Sequence, residues 1–536
     1  MQPGAGGLIL QAMRIRRLLV QPLLLLAALA CSNSAPVGGP DAGPDAGSPL
    51  LDAGPGSGPI PAPAPYDYTA PPAGAVPAGL EPATWLGHLT ADLLPYWTMD
   101  AAKGTPAGNF PSWRQMDGAP AANTARKPRM MGRQTFAYAI GFLLTGDEAL
   151  LDLARAGNRF LLDHAWDSVR GGWYADLDQS GAPASDGTKF AQDFAYTAMG
   201  PAAWFYVTRD PQAEAAVLAT RDLLFDPAKF WDAANGRIKD GLDGALASEQ
   251  YMNPGGAGSW QLVAQLDPIT AFLLLVQPQL TAPARREQAL GDLRTLATLL
   301  EKSFFQGGFF FGSTGDLGRF GTQHTDFGHM LKTHWALTQI NQRLDDHPFE
   351  AFLAQYTAST LQMAHDDARG RWAKAPTGTT TVQYGSDWWA YAEADQLAAT
   401  LGLHQPAWIS TVAESSRHFR GDYVDTTRPA RELVSSVTAD GAWVYPWPDG
   451  DTAKCNQWKS GFHSTEHALV MTLFSHWASG TPAPLYFAFP AAQVDALAAD
   501  ARPYTFLGRV SQVEDLGPLT GDATRHKVRV SFDQLR

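Results

Sequence analysis

The stretch Gly171-Gly172-Trp173-Tyr174 is the clearest of five similar segments that decide the fold of this chain. The other four read Gly236-Arg237-Ile238, Gly307-Gly308-Phe309-Phe310, Gly370-Arg371-Trp372 and Gly441-Ala442-Trp443. They recur at intervals of roughly 60 to 70 residues, which indicates an internal repeat. Glycine beside a bulky apolar or aromatic residue is typical of a short hairpin-like loop that packs on a helix.

Apolar residues recur at helical spacing between and around these loops. The pattern predicts twelve helices, which begin near Ala83, Arg133, Glu148, Ala191, Gln212, Gln261, Pro283, Phe327, Pro348, Asp387, Gln405 and Gly461. Each repeat is therefore a helix, a loop and a second helix. Six such hairpins that close into a ring form an all-α (α/α)6 barrel. An open helical solenoid is the structural alternative, although its repeats are usually shorter and more uniform.

The two ends of the chain differ from this helical middle. Residues 80–484 are expected to form the barrel. In residues 485–536 the alternation of Leu485 to Phe489 and of Lys527 to Phe532 indicates strands, which predicts a small C-terminal extension with β character.

Residues 1–30 have the features of a signal peptide. Arg14, Arg16 and Arg17 precede an apolar block that runs from Leu18 to Leu29, too short for an ordinary membrane-spanning helix. Cys31 stands where bacterial lipoprotein signals place the lipidated cysteine. Residues 31–79 are rich in Pro, Gly, Ala and Asp, so they predict a disordered tether. We therefore expect a protein exported to the bacterial cell envelope and held there by a lipid anchor, with plain secretion as the alternative.

Composition excludes several classes of partner. The formal net charge of -13 argues against nucleic acid, since binding of phosphate depends on clustered Lys and Arg. Apart from Cys31 the chain has one cysteine, Cys455, so a disulfide framework is excluded. Contact with a membrane is expected only through the N-terminal anchor, and the oligomeric state is expected to be a monomer or a homodimer.

Polar residues mark the start of every second helix, which lies inside a barrel of this kind. They are Arg133 and Gln134, Gln192 and Asp193, Gln265 and Asp267, His329 and Lys332, Trp389 and Glu393, and His463 and Glu466. Polar groups at the start of all six inner helices predict a polar ligand pocket rather than an apolar plug.

Two of these helix starts share one arrangement. His329 and His463 are each followed three positions later by a charged residue, Lys332 and Glu466, on the same face one turn deeper. A single histidine is more often a surface or a satisfied interior residue. Two histidines at repeat-equivalent positions favour proton transfer on opposite faces of one bound molecule, because imidazole titrates near neutral pH.

Five segments between Leu80 and Trp477 resemble the N-acylglucosamine 2-epimerase superfamily, which includes cellobiose 2-epimerases and aldose-ketose isomerases and has the (α/α)6 barrel fold. These segments are Arg133-Gln134 (family Gln-x-Arg), Trp173 to Lys189 (Gly-Gly-Phe, Leu-Asp-x-x-Gly and Lys), Gly328-His329 (Gly-His-x-x-Glu), Trp388 to Glu393 (Trp-Trp-x-Gln-Ala-Glu) and Trp458 to His463 (Trp-Lys-Gly-x-Tyr-His). Four positions depart from the family pattern. Lys332 stands in place of glutamate, Glu466 in place of arginine and Tyr391 in place of glutamine, and the Gln265 segment lacks the usual histidine and glutamate.

The resemblance implies a sugar 2-epimerase or aldose-ketose isomerase that acts on a mono- or oligosaccharide. It implies that His329 and His463 transfer protons through an enediolate, that Arg133 stabilises the oxyanion, and that neither an organic cofactor nor a metal is needed. The substrate-binding residues would be Gln192, Asp193, Asp267, Trp389, Tyr391 and Glu393, with Trp173, Phe309, Trp372 and Trp443 as stacking surfaces at the mouth.

The departures at Lys332 and Glu466 are opposite in sign, which suggests an ion pair between these two residues that supports the histidines. Two functions of other classes remain open. One is a non-catalytic surface glycan-binding lipoprotein. The other is a glycan hydrolase or lyase on the same barrel. Hydrolysis would need two carboxylates that flank the bond to be cleaved, and the candidates are Asp193, Asp267 and Glu393.

Overall fold

The structure is a computed structural model that describes residues 67–74, 76–185, 187–252, 258–447 and 450–536. The predicted signal peptide, the lipidation site Cys31 and most of the predicted tether lie outside the described residues.

Six inner helices form the inner ring of the barrel in the described part of the chain. They are Pro128–Thr145, Ala191–Thr208, Leu262–Pro268 with its continuations Ile269–Leu273 and Leu274–Val276, Phe327–Asn341, Trp388–Gly402 and Phe462–Ala478. They are buried over almost their whole length. Such all-round burial is expected of helices with cavity on one side and a second helical layer on the other.

Six outer helical segments alternate with the inner ones in the described chain. They are Pro82–Gly87 with His88–Leu93 and Leu94–Trp97, Glu148–Phe160 with Leu161–Ala165, Pro211–Leu224, Pro283–Ser303, Glu350–Ala364, and Trp408–His418 with Phe419–Tyr423. The first inner helix begins earlier than predicted, at Pro128 rather than near Arg133. A proline is well suited to this first position, because its fixed φ is helical and its missing N–H would have no partner there.

The ring is closed by contacts between the last and the first inner helix, Phe462–Ala478 and Pro128–Thr145. The predicted all-α (α/α)6 barrel is confirmed, and the open solenoid is not formed. Short helical turns outside the ring are Asp100–Lys103, Gln277–Gln279, Thr314–Asp316, Ala491–Gln493 and Val494–Ala499.

The glycine-aromatic segments form small antiparallel hairpins at the end of the barrel where the inner helices begin. The paired strands are Trp231–Asp232 with Arg237–Ile238, Phe305–Gln306 with Phe309–Phe310, His365–Asp366 with Arg371–Trp372, Ala375–Pro376 with Val382–Gln383, Ser386–Asp387 with Ser436–Val437, and Lys189–Phe190 with Gly241–Leu242 and then Glu249–Gln250. Single bridges join Trp166 to Trp173 and Val437 to Trp443.

The C-terminal extension is a three-stranded antiparallel sheet of Ala483–Pro490, Arg509–Leu519 and Asp522–Asp533, with the third strand in the middle. It covers the other end of the barrel, where the inner helices end. There the ring of Tyr486 packs against Gly146, and Arg525 donates to the carbonyl oxygen of Thr208. The predicted β character of the extension is therefore confirmed.

The last part of the predicted tether packs against the barrel. The carbonyl oxygen of Thr69 accepts a hydrogen bond of 2.9 Å from the indole of Trp477, and Leu80 is fully buried. None of the helices in the described chain combines the length and the apolar composition needed to cross a bilayer.

Candidate active site

His329 is held by the residue that caps its own helix. Asp326 precedes Phe327–Asn341, and its Oδ1 accepts the backbone N–H of His329 at 3.0 Å, as expected for an N-cap residue. Its Oδ2 lies 2.7 Å from Nδ1 of the same histidine. Burial alone would raise the pKa of Asp326, but the histidine and the N–H donor hold it below its usual value. An ionised Asp326 accepts a hydrogen bond from Nδ1–H, which leaves Nε2 of the neutral His329 ring without a hydrogen and able to accept a proton.

Trp389 packs against both candidate histidines. Its ring centroid is 4.8 Å from that of His329 and 5.9 Å from that of His463. The close packing depends on Gly328, because a Cβ atom at this position would stand 2.5 Å from the Trp389 ring. The Gly-His dipeptide and the second tryptophan of Trp388-Trp389 therefore build one aromatic floor that contacts both histidines.

His463 lies beside a buried carboxyl group, that of Glu393. Its Nδ1 lies 3.2 Å from Oε1 of Glu393, a contact that is close but not aligned as a hydrogen bond. Burial, and after it the positive charge of Arg133, lowers the pKa of His463 well below its usual value. The imidazole is therefore neutral near pH 7, which is the form able either to accept or to donate a proton.

Glu393 and Glu466 form a pair of neighbouring buried carboxyl groups. Burial raises the pKa of both, and repulsion by Glu466 adds to the effect on Glu393. Gln396 donates to Oε2 of Glu393 at 3.3 Å. Tyr504, which belongs to the C-terminal extension, donates its hydroxyl proton to Oε1 of Glu466. Two buried carboxyls this close share a proton, because both cannot be ionised cheaply.

The same cluster has the spacing of a metal site. One ligand atom each from Glu393, His463 and Glu466 lies within 4.8 Å of the others. After burial, the ammonium group of Lys332 is among the groups that act on both carboxyls. A fixed positive charge beside the cluster opposes a cation there, so we assign these carboxyls to proton sharing, and the absence of a metal requirement stays a prediction.

Lys332 pairs with Asp267, not with Glu466 as the sequence suggested. Its Nζ lies 2.7 Å from Oδ1 of Asp267 and 3.0 Å from the hydroxyl of Tyr196, and both charged side chains are almost fully buried. Oδ2 of Asp267 accepts from Gln192 at 2.8 Å. Burial alone would raise the pKa of Asp267, but Lys332 lowers it to about 2. The predicted pair is wrong because Asp267, on the third inner helix, lies within ion-pair distance of Lys332.

Arg133 lies over the ring of Tyr196, with its guanidinium carbon 3.6 Å from the ring centroid. Its Nη1 donates to the carbonyl oxygen of Trp458 at 3.0 Å, while its Nε has no partner among the described residues. The guanidinium thus keeps donor capacity beside His463, which suits an oxyanion that develops during a reaction.

Two other predicted polar residues lie elsewhere. Asp193 forms an ion pair of 2.7 Å with Arg129, whose guanidinium packs over the half-exposed ring of Trp458, so it lies at the rim rather than on the floor. Gln265 exchanges two hydrogen bonds with the backbone of Ile238 and fixes a hairpin instead of facing a ligand.

Three of the four aromatic residues expected at the mouth have structural roles. Trp173 is 1% exposed and donates to Thr220. Trp372 donates to Asp395 and is buried, as is Phe309, so these three rings pack inside the protein and do not form stacking surfaces. Trp443 is partly buried and donates to the carbonyl oxygen of Asp422, and its role at the mouth stays a prediction. Tyr391, predicted to bind substrate, is buried and donates to the carbonyl oxygen of Ser415 instead.

His324 is a third histidine at the site that the sequence reasoning missed. Its ring centroid is 4.7 Å from that of His329, and its backbone has a positive φ of 59°. Burial, with the neighbouring His329, lowers its pKa to about 3. Since it lies on a loop and not at a helix start, the periodicity of the inner helices gave no signal for it.

Comparisons with known proteins agree with this geometry. A family model for N-acylglucosamine 2-epimerase (GlcNAc 2-epimerase) matches residues 108–255. The chain has no significant match among curated protein sequences. Among solved structures, the cellobiose 2-epimerase of Spirochaeta thermophila is similar with a TM-score of 0.62 at 18% identity, over 74% of this chain and 96% of that chain. The cellobiose 2-epimerase of Bacillus thermoamylovorans has a TM-score of 0.61 at 17% identity, over 74% and 99%. A D-mannose isomerase has a TM-score of 0.61 at 16% identity, over 74% and 99%.

The fold is therefore the (α/α)6 barrel found in these carbohydrate epimerases and isomerases. The family model matches one part of the barrel, and the solved structures share its fold over most of the chain.

Proposed function

We propose that this protein moves the proton at C2 of a reducing sugar, and so acts as an aldose 2-epimerase or an aldose-ketose isomerase. One observation carries the proposal. His329 and His463 both pack against Trp389, and Nδ1 of each lies beside a carboxyl group, of Asp326 at 2.7 Å and of Glu393 at 3.2 Å.

The reaction follows from this arrangement. A ring-opened sugar lies against Trp389, and one histidine removes the C2 proton through its Nε2. The electron pair of the broken C–H bond forms a C1–C2 double bond, and the carbonyl π electrons move to oxygen, which gives an enediolate. Arg133 stabilises the negative oxygen.

The outcome depends on where the proton returns. Delivery to C2 from the opposite face by the other histidine produces the epimer. Delivery to C1, with the C2 hydroxyl proton transferred to O1, produces the ketose. Carbon acids beside a carbonyl need only a base, an acid and an oxyanion site, so the reaction requires no metal or organic cofactor.

Two competing functions have less support. A glycan hydrolase would use two free carboxyls, but Asp193 is paired with Arg129 and Asp267 with Lys332, while both histidines face the cavity. A non-catalytic glycan-binding protein would not need a carboxyl group beside each of two histidines.

We further propose that the enzyme works in the bacterial cell envelope as a lipoprotein, with secretion as the alternative. The support is the sequence of residues 1–31, in which basic and apolar segments precede Cys31. Metabolic labelling of the cysteine with a palmitate analogue, and its loss in Cys31→Ser, tests this part separately.

The catalytic proposal is tested by incubating the full chain with a panel of aldoses in heavy water and following C2 by proton NMR. Loss of the C2 proton signal with one or more sugars is expected, because both products pass through the same deprotonation. Absence of C2 proton exchange with every monosaccharide and disaccharide aldose of the panel would contradict the proposal.

A further inference from the structure

Tyr504 is brought to the active site from outside the barrel. It lies between the C-terminal turn Val494–Ala499 and the strand Arg509–Leu519, and its side chain is 2% exposed. Its backbone N–H donates to the hydroxyl of Tyr206 at 2.9 Å, and its ring packs edge-on against Phe136. The phenol then reaches the floor of the cavity and donates to Glu466.

We propose that Tyr504 is a positioning residue of the active site, which holds Glu466 as the ionised member of the Glu393–Glu466 pair so that the shared proton stays on Glu393. This inference rests on the proposed function and assigns a role in it to the C-terminal extension.

Different groups face the two carboxyls. Glu466 faces the phenol of Tyr504, the side chain of Gln396 and the ammonium of Lys332, which is itself paired with Asp267. Of these, the phenol and the ammonium strongly favour a negative charge on Glu466.

Glu393 has fewer neighbouring groups among the described residues that stabilise a negative charge. It accepts only a long amide hydrogen bond from Gln396 and shares the field of Lys332. Asp267 and Glu466 add unfavourable negative charge to it. The proton therefore belongs on Glu393, beside Nδ1 of His463.

This placement sets the tautomer of His463. The carboxyl of Glu393 lies 3.2 Å from Nδ1 of His463, so in this proposal the protonated carboxyl turns to donate to Nδ1, and the hydrogen of the neutral ring is on Nε2. His329 has the opposite state, because ionised Asp326 accepts from its Nδ1 and leaves Nε2 bare. The resting enzyme thus presents one proton acceptor and one proton donor across Trp389.

The proton balance closes over one turnover. Nε2 of His329 gains the C2 proton and the ring becomes an imidazolium beside Asp326. Nε2 of His463 delivers its proton to the other face of C2, while the proton of Glu393 moves to Nδ1 of His463. Glu393 ends as a carboxylate, and exchange with solvent restores the resting state.

The test compares Tyr504→Phe with Tyr206→Phe in the full chain. Tyr504→Phe keeps the packed ring and removes only the donor to Glu466. Tyr206→Phe removes two hydrogen bonds that anchor the same segment, one accepted from Tyr504 N–H and one donated to the carbonyl oxygen of Arg502, but it leaves the carboxyl pair untouched.

The first readout is independent of activity. In protein labelled with ¹⁵N-histidine, the signals absent in His463→Asn assign the ring of His463, and its nitrogen shifts report which nitrogen carries the hydrogen. We expect the Nε2–H form in the native protein and in Tyr206→Phe, and a shift towards the Nδ1–H form in Tyr504→Phe.

The second readout is the pH profile of kcat/KM for C2 exchange. Without the phenol, Glu393 gives up its proton at a lower pH. The alkaline limb of the kcat/KM profile should therefore shift by about one pH unit towards lower pH, so kcat/KM at pH values above the limb should fall about tenfold. The acid limb of the profile should not shift.

An Nδ1–H tautomer in the native protein, or the same tautomer and pH profile in both tyrosine variants, would overturn the assignment of Tyr504. Absence of exchange in the native enzyme, with the tautomer shift present, would contradict the proposed function alone.

Discussion

Lys332 and Asp267 form an ion pair of 2.7 Å in which both side chains are almost fully removed from solvent. The pair joins the third and fourth inner helices beneath the histidines. Tyr196 and Gln192 complete it with hydrogen bonds to Asp267 at 2.9 and 2.8 Å. The polar floor of the cavity is therefore a connected network, and the loss of one member leaves the others uncompensated.

Replacement of Lys332 by methionine should destabilise the fold by about 3 to 5 kcal/mol, because Asp267 would keep a buried charge without a partner. Urea unfolding followed by circular dichroism measures the change. The control is Arg294→Ala, which breaks an exposed pair with Asp346 and should leave the midpoint nearly unchanged.

The double variant Lys332→Glu with Glu466→Arg separates the observed pairing from the one suggested by the sequence. It should not recover stability, since the new glutamate would lie beside Asp267. A double variant as stable as the native protein would show that residues 332 and 466 form the pair in solution.

The pH dependence of stability gives a second test of the same contact. The pKa of Asp267 is lowered from 3.8 to about 2 in the folded state, so its contribution is present above about pH 4 and is lost as the pH falls towards 2. The difference in unfolding free energy between the native protein and Asp267→Asn should therefore be constant above about pH 4 and shrink by about 2 kcal/mol below it. A difference that does not change with pH would mean that Asp267 has an ordinary pKa.

The packing of Trp389 predicts an effect of a single methyl group. Gly328→Ala places a Cβ where the Trp389 ring now lies, so the ring must move and C2 exchange should fall about tenfold or more. Gly291→Ala is the matched control. Gly291 lies in the outer helix Pro283–Ser303 with open space around it, so alanine should leave exchange unchanged and raise stability slightly. Equal exchange rates in the two variants would contradict the role of the aromatic floor.

Most of the barrel could be predicted from the sequence. The apolar period of 3.6 residues and the repeated glycine-aromatic loops are local signals, and most helix starts lie close to their predicted positions. Helix starts were misplaced where a cap determined them, as at Pro128, since apolar spacing does not report the first turn.

The candidate site was predictable only in part. The positions of His329, His463 and Trp389 at the starts of inner helices predicted that they lie near one another, and both histidines do pack against Trp389. The sequence reasoning did not identify Asp326, which caps its helix and holds His329. The partner of Lys332 was not predictable, because it depends on which helix lies beside it in the ring. Tyr504 gave no signal, because a residue from the C-terminal extension reaches the cavity only after the whole chain has folded.

The most direct test of the central claim follows deuterium at C2 in each epimer separately, using His329→Asn, His463→Asn and the double variant in heavy water, with His526→Ala on the C-terminal sheet as the control. Two histidines on opposite faces predict that each single variant loses epimerisation by about 100-fold or more, because one proton-transfer group is missing. Each should still introduce deuterium slowly into one epimer, a different one in each variant, and the double variant into neither. Retention of full epimerisation in either single variant, or deuterium in the same epimer in both, would contradict proton transfer by His329 and His463.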